Sequence, residues 1–181
     1  MQSNLTGRLF LAYWPDPACR KSFSKLAKQL SLRNARLIKP ENIHLTLVFL
    51  GHVDEKTLPQ LTRSLETIAT EPIELVFDQL GWWQRSQVIW VAPASVPDNL
   101  LSLVGKLNSA AHECGFKVDE RPYLPHITLA RKVRQPPVHP EFKPVTWLLR
   151  DWVLVRSETL PEGARYTPIW SREQGFIGQQ N

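Results

Sequence analysis

The sequence predicts an α+β protein with two similar lobes, each a mostly antiparallel sheet with helices on its outer face, and a cleft between the lobes. Strand-like and helix-like segments mix in both halves of the 181 residues, without the regular alternation of a doubly wound sheet. Residues 39–47 (KPENIHLTL) recur nearly unchanged as residues 121–129 (RPYLPHITL). No low-complexity linker separates the two copies. We therefore expect residues 1–181 to form a single bilobal domain with a pseudo-two-fold duplication.

The first half of the chain predicts four strands and two helices. Residues 8–14 are rich in aromatic and aliphatic side chains and indicate the first strand. Asp16 as N-cap and Pro17 at the first helical position predict a helix that extends to about residue 32. The other predicted elements are the first motif strand over 43–50, a helix over 54–70, and a strand pair over 73–80 and 88–92.

The second half begins after Pro93 and again mixes helix and strand. Apolar residues at helical spacing predict a helix that begins at residue 97 or 98 and ends near Gly115. Four prolines in residues 135–144 indicate an irregular loop. The predicted strands are the second motif strand over 127–133, one or two strands over 147–159, and a short strand over 166–170.

The charge balance favours an anionic partner. The formal net charge is +5 and the isoelectric point is about 9.4, so the protein attracts polyanions, nucleic acid first. The first seven residues are polar, and the apolar run after them is too short to span a membrane. We therefore expect a cytoplasmic protein that contacts no membrane, and we take a monomer as the default oligomeric state.

The duplicated motif presents one histidine and one threonine per copy on the same side of a strand. Side chains two residues apart on a strand point the same way, so His44 and Thr46 share a face, as do His126 and Thr128. The apolar residues that alternate with them point into the packing between sheet and helices. The two motif strands are then expected to face each other across the cleft.

Two histidines and two threonines are suited to phosphodiester cleavage. One neutral imidazole can take a proton from water while a protonated one gives a proton to the departing alkoxide. Threonine hydroxyls can donate hydrogen bonds to the phosphate oxygens. A 2',3'-cyclic phosphate is a suitable substrate for these four side chains, because its ring is strained and its leaving oxygen is tethered. The sequence holds no His-x-x-x-His motif, no carboxylate cluster beside the histidines and no phosphate-binding glycine loop, so we expect neither metal nor cofactor.

The paired motifs His44-Leu45-Thr46-Leu47 and His126-Ile127-Thr128-Leu129 resemble the signature of the 2H phosphoesterases. Within that superfamily the chain is similar to the bacterial RNA 2',3'-cyclic phosphodiesterases, also called 2'-5' RNA ligases, including its 165–168 segment (RYTP). The resemblance covers nearly the whole chain. It implies a metal-free, ATP-independent enzyme that opens the 2',3'-cyclic phosphate end of an RNA, such as a tRNA fragment, to a 2'-phosphate. It also implies reversible 2'-5' ligation of RNA.

The resemblance further implies roles for individual residues. His44 is the expected proton donor to the O3' leaving group and His126 the expected base for water. Thr46 and Thr128 would bind the phosphate, as would Arg131, five residues after His126. Strict alternation places Arg131 on the face opposite His126, so it needs a β-bulge or the end of the strand to reach the cleft.

Other residues have alternative interpretations. Candidates for stacking on a base are four aromatic residues: Phe49, Trp82, Trp83 and Tyr123. Candidates for the rim of the cleft are the basic residues Arg33, Arg36 and Lys39, and surface roles are expected for His52, His112 and His139. Two other functions stay open: a phosphodiesterase for small cyclic nucleotides or 2'-5' oligonucleotides, and a non-catalytic RNA-binding module.

Overall fold

The computed structural model of the chain describes residues 7–119, 121–135, 141–161 and 163–177. Within these ranges the chain forms ten β-strands and three α-helices. The strands are β1 (Arg8–Tyr13), β2 (Arg36–Leu37), β3 (Leu45–His52), β4 (Ile73–Trp83), β5 (Val88–Pro93), β6 (Ile127–Arg131), β7 (Val145–Leu149), β8 (Trp152–Leu160), β9 (Gly163–Ser171) and β10 (Gly175–Phe176). The helices are α1 (Pro17–Gln29), α2 (Leu58–Glu66) and α3 (Asp98–Glu113).

The strands form two five-stranded sheets, which confirms the predicted α+β class. The first sheet has the order β10-β9-β8-β1-β3, and the second has the order β2-β6-β5-β4-β7. Every described strand pair is antiparallel. Each motif strand lies at or next to an edge of its sheet, β3 in the first and β6 in the second.

The two sheets do not correspond to the two halves of the chain. We expected the second half to begin after residue 93, but β4 and β5 share a sheet with the second motif strand, β6. Conversely, β8 and β9 from the second half belong to the first sheet, where β8 pairs with β1 and β9 pairs with β8. The chain therefore passes repeatedly between the sheets, which binds the two lobes into one body.

The duplicated unit is a strand, a helix and a motif strand. These units are β1-α1-β3 and β5-α3-β6, and in each the two strands are antiparallel neighbours. Helix α1 packs against β6 and β7 of the second sheet, whereas α3 packs against β3 of the first. Each helix thus covers the motif strand of the other unit, and one apolar core runs through both lobes.

Aromatic rings fill the core where the two sheets meet. Phe23 of α1 lies edge-on to Phe77 of β4, with ring centroids 5.1 Å apart. Tyr13 of β1 lies 6.4 Å from Trp147 of β7, which joins the two sheets directly. Aromatic pairs of this kind add about 0.5–1.5 kcal/mol beyond the area that they bury.

The structure corrects several predicted boundaries. The predicted cap at Asp16 is confirmed, because its side chain accepts a hydrogen bond from the backbone N–H of Cys19 at 2.8 Å. The second helix is shorter than predicted, since a 3₁₀ turn precedes Leu58 and the chain leaves the helix after Glu66. Strand β4 continues through Trp83, so the connection to β5 is only four residues long.

Strands β2 and β10 were not predicted from the sequence. Strand β2 lies within the basic connection over 33–39, and its two residues pair with the end of β6. The final hairpin is also longer than expected, because β9 runs for nine residues and is followed by β10. Half of the predicted proline-rich loop, including His139, lies outside the described residues. Among those described, no helix combines the length and apolar character needed to cross a membrane.

Gly81 of β4 provides a packing test. The ring of Trp90, in the neighbouring strand, occupies the space where a β-carbon at position 81 would stand, 2.0 Å from its ideal position. We predict that Gly81→Ala lowers the free energy of unfolding by about 1–3 kcal/mol, because the indole must shift. Urea denaturation measures this change.

Gly105 of α3 is the matched control. A β-carbon there would meet nothing within 4 Å, and glycine is an unfavourable residue inside a helix. Gly105→Ala should therefore raise the free energy of unfolding by up to about 1 kcal/mol. A stabilising effect of Gly81→Ala as well would show that the Trp90 ring does not constrain β4.

Candidate active site

The two motif histidines occupy equivalent positions at the entrance to their strands. His44 stands immediately before β3, and His126 stands immediately before β6. The Nδ1 atom of His44 lies 2.7 Å from the backbone oxygen of Asn42, and that of His126 lies 2.8 Å from the backbone oxygen of Leu124. In both copies the ring is thus held by the carbonyl two residues back.

These contacts fix the protonation pattern of both rings. A carbonyl oxygen can only accept a hydrogen bond, so Nδ1 must carry the proton in each histidine. The other nitrogen, Nε2, is then the atom that gains or loses a proton. Each ring can act as a base when neutral and as an acid when protonated.

Both histidines line one cavity of about 640 Å³ between the sheets. Thr46, Thr128 and Arg131 line the same cavity, so all five residues predicted for catalysis and phosphate binding come together. Both threonines are half-buried, whereas Arg131 is exposed. The arrangement offers two imidazoles, two hydroxyls and a guanidinium to one bound anion.

A β-bulge brings Arg131 to the cavity, as its position in the motif requires. In β6 the pairing with β5 shifts by one residue between Thr128 and Ala130, so Leu129 and Ala130 are both buried and Arg131 returns to the cleft face. The prediction that Arg131 needs a bulge or the end of the strand is confirmed, since β6 contains the bulge and also ends at Arg131.

The first motif strand contains the same bulge. In β3 the register with β1 shifts between Thr46 and Val48, so Leu47 and Val48 are both buried and Phe49 emerges on the cleft face. Phe49 is 61% exposed and occupies the position that Arg131 holds in the other copy. The duplicated backbone thus presents an aromatic ring from one lobe and a cation from the other.

His44 is enclosed by three aromatic side chains. Trp14 stacks on its ring at 5.5 Å, Phe10 lies 4.9 Å away, and Tyr166 approaches edge-on at 5.0 Å. This burial lowers the pKa of His44 from 6.5 to about 4, although the hydrogen bond to Asn42 opposes the shift. The charges of His126 and Arg131 lower the pKa further, since both disfavour a second cation nearby.

His126 has a more open environment. Its ring meets Trp83 edge-on at 4.7 Å, and Trp83 in turn packs on Trp90. Burial again lowers the pKa of His126, the hydrogen bond to Leu124 opposes this, and the charge of Arg131 adds to the lowering. Both rings therefore favour the neutral form in the ligand-free protein.

Hydrogen bonds from distant segments hold the two motifs in place. The side-chain amide of Asn42 donates to the backbone oxygen of Ala164 at 2.8 Å, which ties the turn before His44 to the β8–β9 hairpin. Tyr123 donates its hydroxyl to the backbone oxygen of Thr46 at 2.9 Å and so links the two copies directly. Burial raises the pKa of this hydroxyl, so Tyr123 remains a donor.

A second cavity of about 740 Å³ adjoins the first on the His126 side. His126, Thr46 and Phe49 border both cavities, whereas His44 borders only the first. Of the four aromatic stacking candidates, Phe49, Trp83 and Tyr123 line this second cavity. The fourth, Trp82, packs against the core and donates its indole N–H to the backbone oxygen of Val133 at 2.9 Å.

Several site residues had no signal in the sequence. The aromatic enclosure of His44 draws on β1 and β9, which lie far apart in the chain, so no local pattern could indicate it. His52, expected on the surface, is exposed but lines the first cavity together with Arg8.

No cluster of three or more His, Cys, Asp or Glu side chains suited to hold a metal ion occurs in the described part of the chain.

Comparison with known proteins identifies the family. A family model described as the 2'-5' RNA ligase superfamily matches residues 14–160. The chain belongs to this superfamily. An Escherichia coli K12 member named RNA 2',3'-cyclic phosphodiesterase is 32% identical over 145 residues, which cover 77% of this chain and 81% of that protein. A Thermus thermophilus protein of the same name is 29% identical over 174 residues, covering 90% and 87%.

The fold of this superfamily member also matches a solved structure. The crystal structure of Escherichia coli LigT complexed with 3'-AMP superposes with a TM-score of 0.80 at 29% identity. The match covers 91% of this chain and 97% of that chain. The similarity therefore extends over nearly the whole of this chain.

The electrostatic coupling within the site can be tested without a substrate. We predict that His44 titrates near pH 4 and His126 below pH 6.5 in an NMR pH titration of the free protein. Arg131→Gln should raise both pKa values, because removal of the guanidinium makes each imidazolium less unfavourable. Arg134→Gln, at an exposed arginine nearby, should leave them unchanged. Unaltered titrations in Arg131→Gln would place that guanidinium away from the rings.

Proposed function

We propose that the protein hydrolyses the 2',3'-cyclic phosphate end of RNA to a 2'-phosphate by paired-histidine acid–base catalysis. The observation that carries this proposal is the pair of equivalently held imidazoles, both lining one cavity with two threonines and an arginine. The names of the relatives support the substrate and the reaction class. Because one chain supplies both histidines, a monomer suffices.

In the proposed reaction, the two histidines act on opposite sides of the phosphorus. His126 Nε2 takes a proton from water as the water oxygen bonds to phosphorus. The P–O3' bond then breaks, and protonated His44 gives its Nε2 proton to O3', leaving a 3'-hydroxyl and a 2'-phosphate. Thr46, Thr128 and Arg131 bind the non-bridging oxygens, and the guanidinium offsets the charge that develops on them.

The bound substrate would restore the protonated form of His44. In the free protein, burial and the positive charge of Arg131 both lower the pKa of this ring. A phosphodiester anion between the rings adds a negative charge, which favours an imidazolium beside it. A buried imidazolium of low intrinsic pKa is then a strong acid for the departing alkoxide.

The two cavities support the assignment of His126 as the base. His126 borders both cavities, so a nucleophile in the second cavity can reach it, whereas His44 borders only the first. A 5'-hydroxyl of a second RNA in place of water would give a 2'-5' linkage by the same proton transfers. The apolar lining there, which includes Phe49 and Trp83, suits the nucleoside that carries such a hydroxyl. We propose 2'-5' ligation as a parallel reaction of the same site, in which a 5'-hydroxyl replaces water; its reverse would cleave a 2'-5' linkage and re-form the cyclic phosphate.

The reaction itself is tested with an RNA that ends in a 2',3'-cyclic phosphate. We predict conversion to a 2'-phosphate in EDTA at the rate seen without EDTA, because the proposed chemistry uses side chains alone. Mass spectrometry and phosphorus NMR of the product locate the phosphate. A 3'-phosphate product would show that O2' and not O3' is the leaving group, and inhibition by EDTA would require a metal in the mechanism.

The histidines are tested by truncation. His44→Ala and His126→Ala should each lower turnover of that RNA at least about 100-fold, since a general acid or base typically contributes 10²–10⁴-fold. His112→Ala, at an exposed histidine of α3, is the control and should retain full activity. Circular dichroism checks that each variant is folded. Full activity of His126→Ala would remove the assigned base, and full activity of both variants would contradict paired-histidine catalysis. Binding of the RNA without any turnover by the wild-type protein would instead indicate an RNA-binding module.

A further inference from the structure

We propose that the first cavity contains a second anion subsite, centred on Arg8, that binds a backbone phosphate of the RNA upstream of its cyclic end. This inference rests on the proposed function and names the substrate class more narrowly. The subsite would make the protein selective for oligonucleotides over cyclic mononucleotides, the alternative substrates left open by the sequence.

The subsite is a row of side chains that crosses four adjacent strands. Arg8 of β1 pairs in register with His52 of β3 on one side and with Ser157 of β8 on the other. Ser157 in turn pairs with Tyr166 of β9. Residues directly opposite each other in neighbouring strands share a face of the sheet, and all four line the first cavity. A guanidinium, an imidazole and two hydroxyls thus converge on one side of the cavity.

The Arg8, His52 and Ser157 part of this row is separated from the catalytic phosphate position by an apolar row, whereas the ring of Tyr166, at the β9 end, reaches back to His44. Between Arg8 and Ala12, which pairs with Thr46, lies Phe10, which pairs with Phe49 and Val155. Each step of two residues along a strand advances about 6.5–7 Å, so the Arg8 row lies roughly 13 Å from the Thr46 row. The cavity wall therefore runs from a phosphate site, across apolar side chains suited to a nucleoside, to a second cationic site.

Arg8 is available to bind an anion. Its side chain is exposed, and no hydrogen bond or ion pair to it occurs within the described part of the chain. The described residues that line this cavity include two arginines and three histidines but no carboxylate. In the second cavity, by contrast, Arg121 is already paired with Asp119. The first cavity thus offers the unneutralised positive charge.

The chemistry of the substrate decides which phosphate would occupy this subsite. In an RNA that ends in a 2',3'-cyclic phosphate, every other phosphate lies upstream of the terminal ribose. A second anion bound in the same cavity as the cyclic phosphate must then belong to the upstream chain. The departing O3' and the upstream RNA would lie on the His44 side, opposite the second cavity from which the nucleophile approaches.

The test compares two substrates with the same terminal nucleoside: uridine 2',3'-cyclic phosphate, which has no other phosphate, and a trinucleotide that ends in the same group. Arg8→Gln should lower kcat/KM for the trinucleotide about tenfold or more, since a charge-assisted contact is lost, and leave the mononucleotide unchanged. The salt dependence for the trinucleotide should also become shallower by about 0.7 in log–log slope. Arg8→Lys should retain part of the preference, because it keeps the charge.

Arg63→Gln is the matched control, because this exposed arginine lies on α2, along a separate groove against α3. It should leave kcat/KM unchanged for both substrates. Equal losses of kcat/KM on both substrates in Arg8→Gln, or no loss on either, would overturn the upstream subsite while wild-type turnover of the trinucleotide leaves the proposed function standing. Failure of the wild-type protein on both substrates would overturn the proposed function and the subsite with it.

Discussion

The site depends on one repeated contact, the hydrogen bond from each imidazole Nδ1 to the carbonyl two residues before it. A ring without this contact could carry its proton on either nitrogen and could rotate away from the cleft. With the contact, Nε2 is the nitrogen that remains to gain or lose a proton in both copies. Asn42 strengthens the arrangement in the first copy, since its side chain anchors the same turn to Ala164.

The same β-bulge occurs in both motif strands, but the side chains that it exposes give the two strands different surfaces. In both motif strands two consecutive residues turn into the core, and the next side chain emerges on the cleft face. That side chain is Phe49 in one lobe and Arg131 in the other. The pseudo-symmetry therefore supplies the two equivalently held imidazoles, while the departures from symmetry supply charge on one side and an apolar surface on the other.

Local sequence patterns predicted the parts of the fold and site that depend on local interactions. The motif pair placed the histidines and threonines, and Asp16 followed by Pro17 placed the start of α1. The sheet to which each strand belongs was not predictable. Strand β8 pairs with β1 although most of the sequence separates them, and the stabilising free energy of that pairing comes from non-local packing. The aromatic enclosure of His44 and the row of side chains around Arg8 were not predicted for the same reason. Each is formed by residues of strands that become neighbours only in the folded protein.

The central claim is that both imidazoles contact one phosphate through Nε2. Nitrogen-15 NMR of the histidine rings, recorded while a nucleoside 2'-monophosphate is added, tests it most directly. We predict that the Nε2 resonances of His44 and His126 shift together, with a single dissociation constant and one equivalent of ligand, while both Nδ1 atoms stay protonated. A shift of only one ring, or two different dissociation constants, would contradict a shared phosphate.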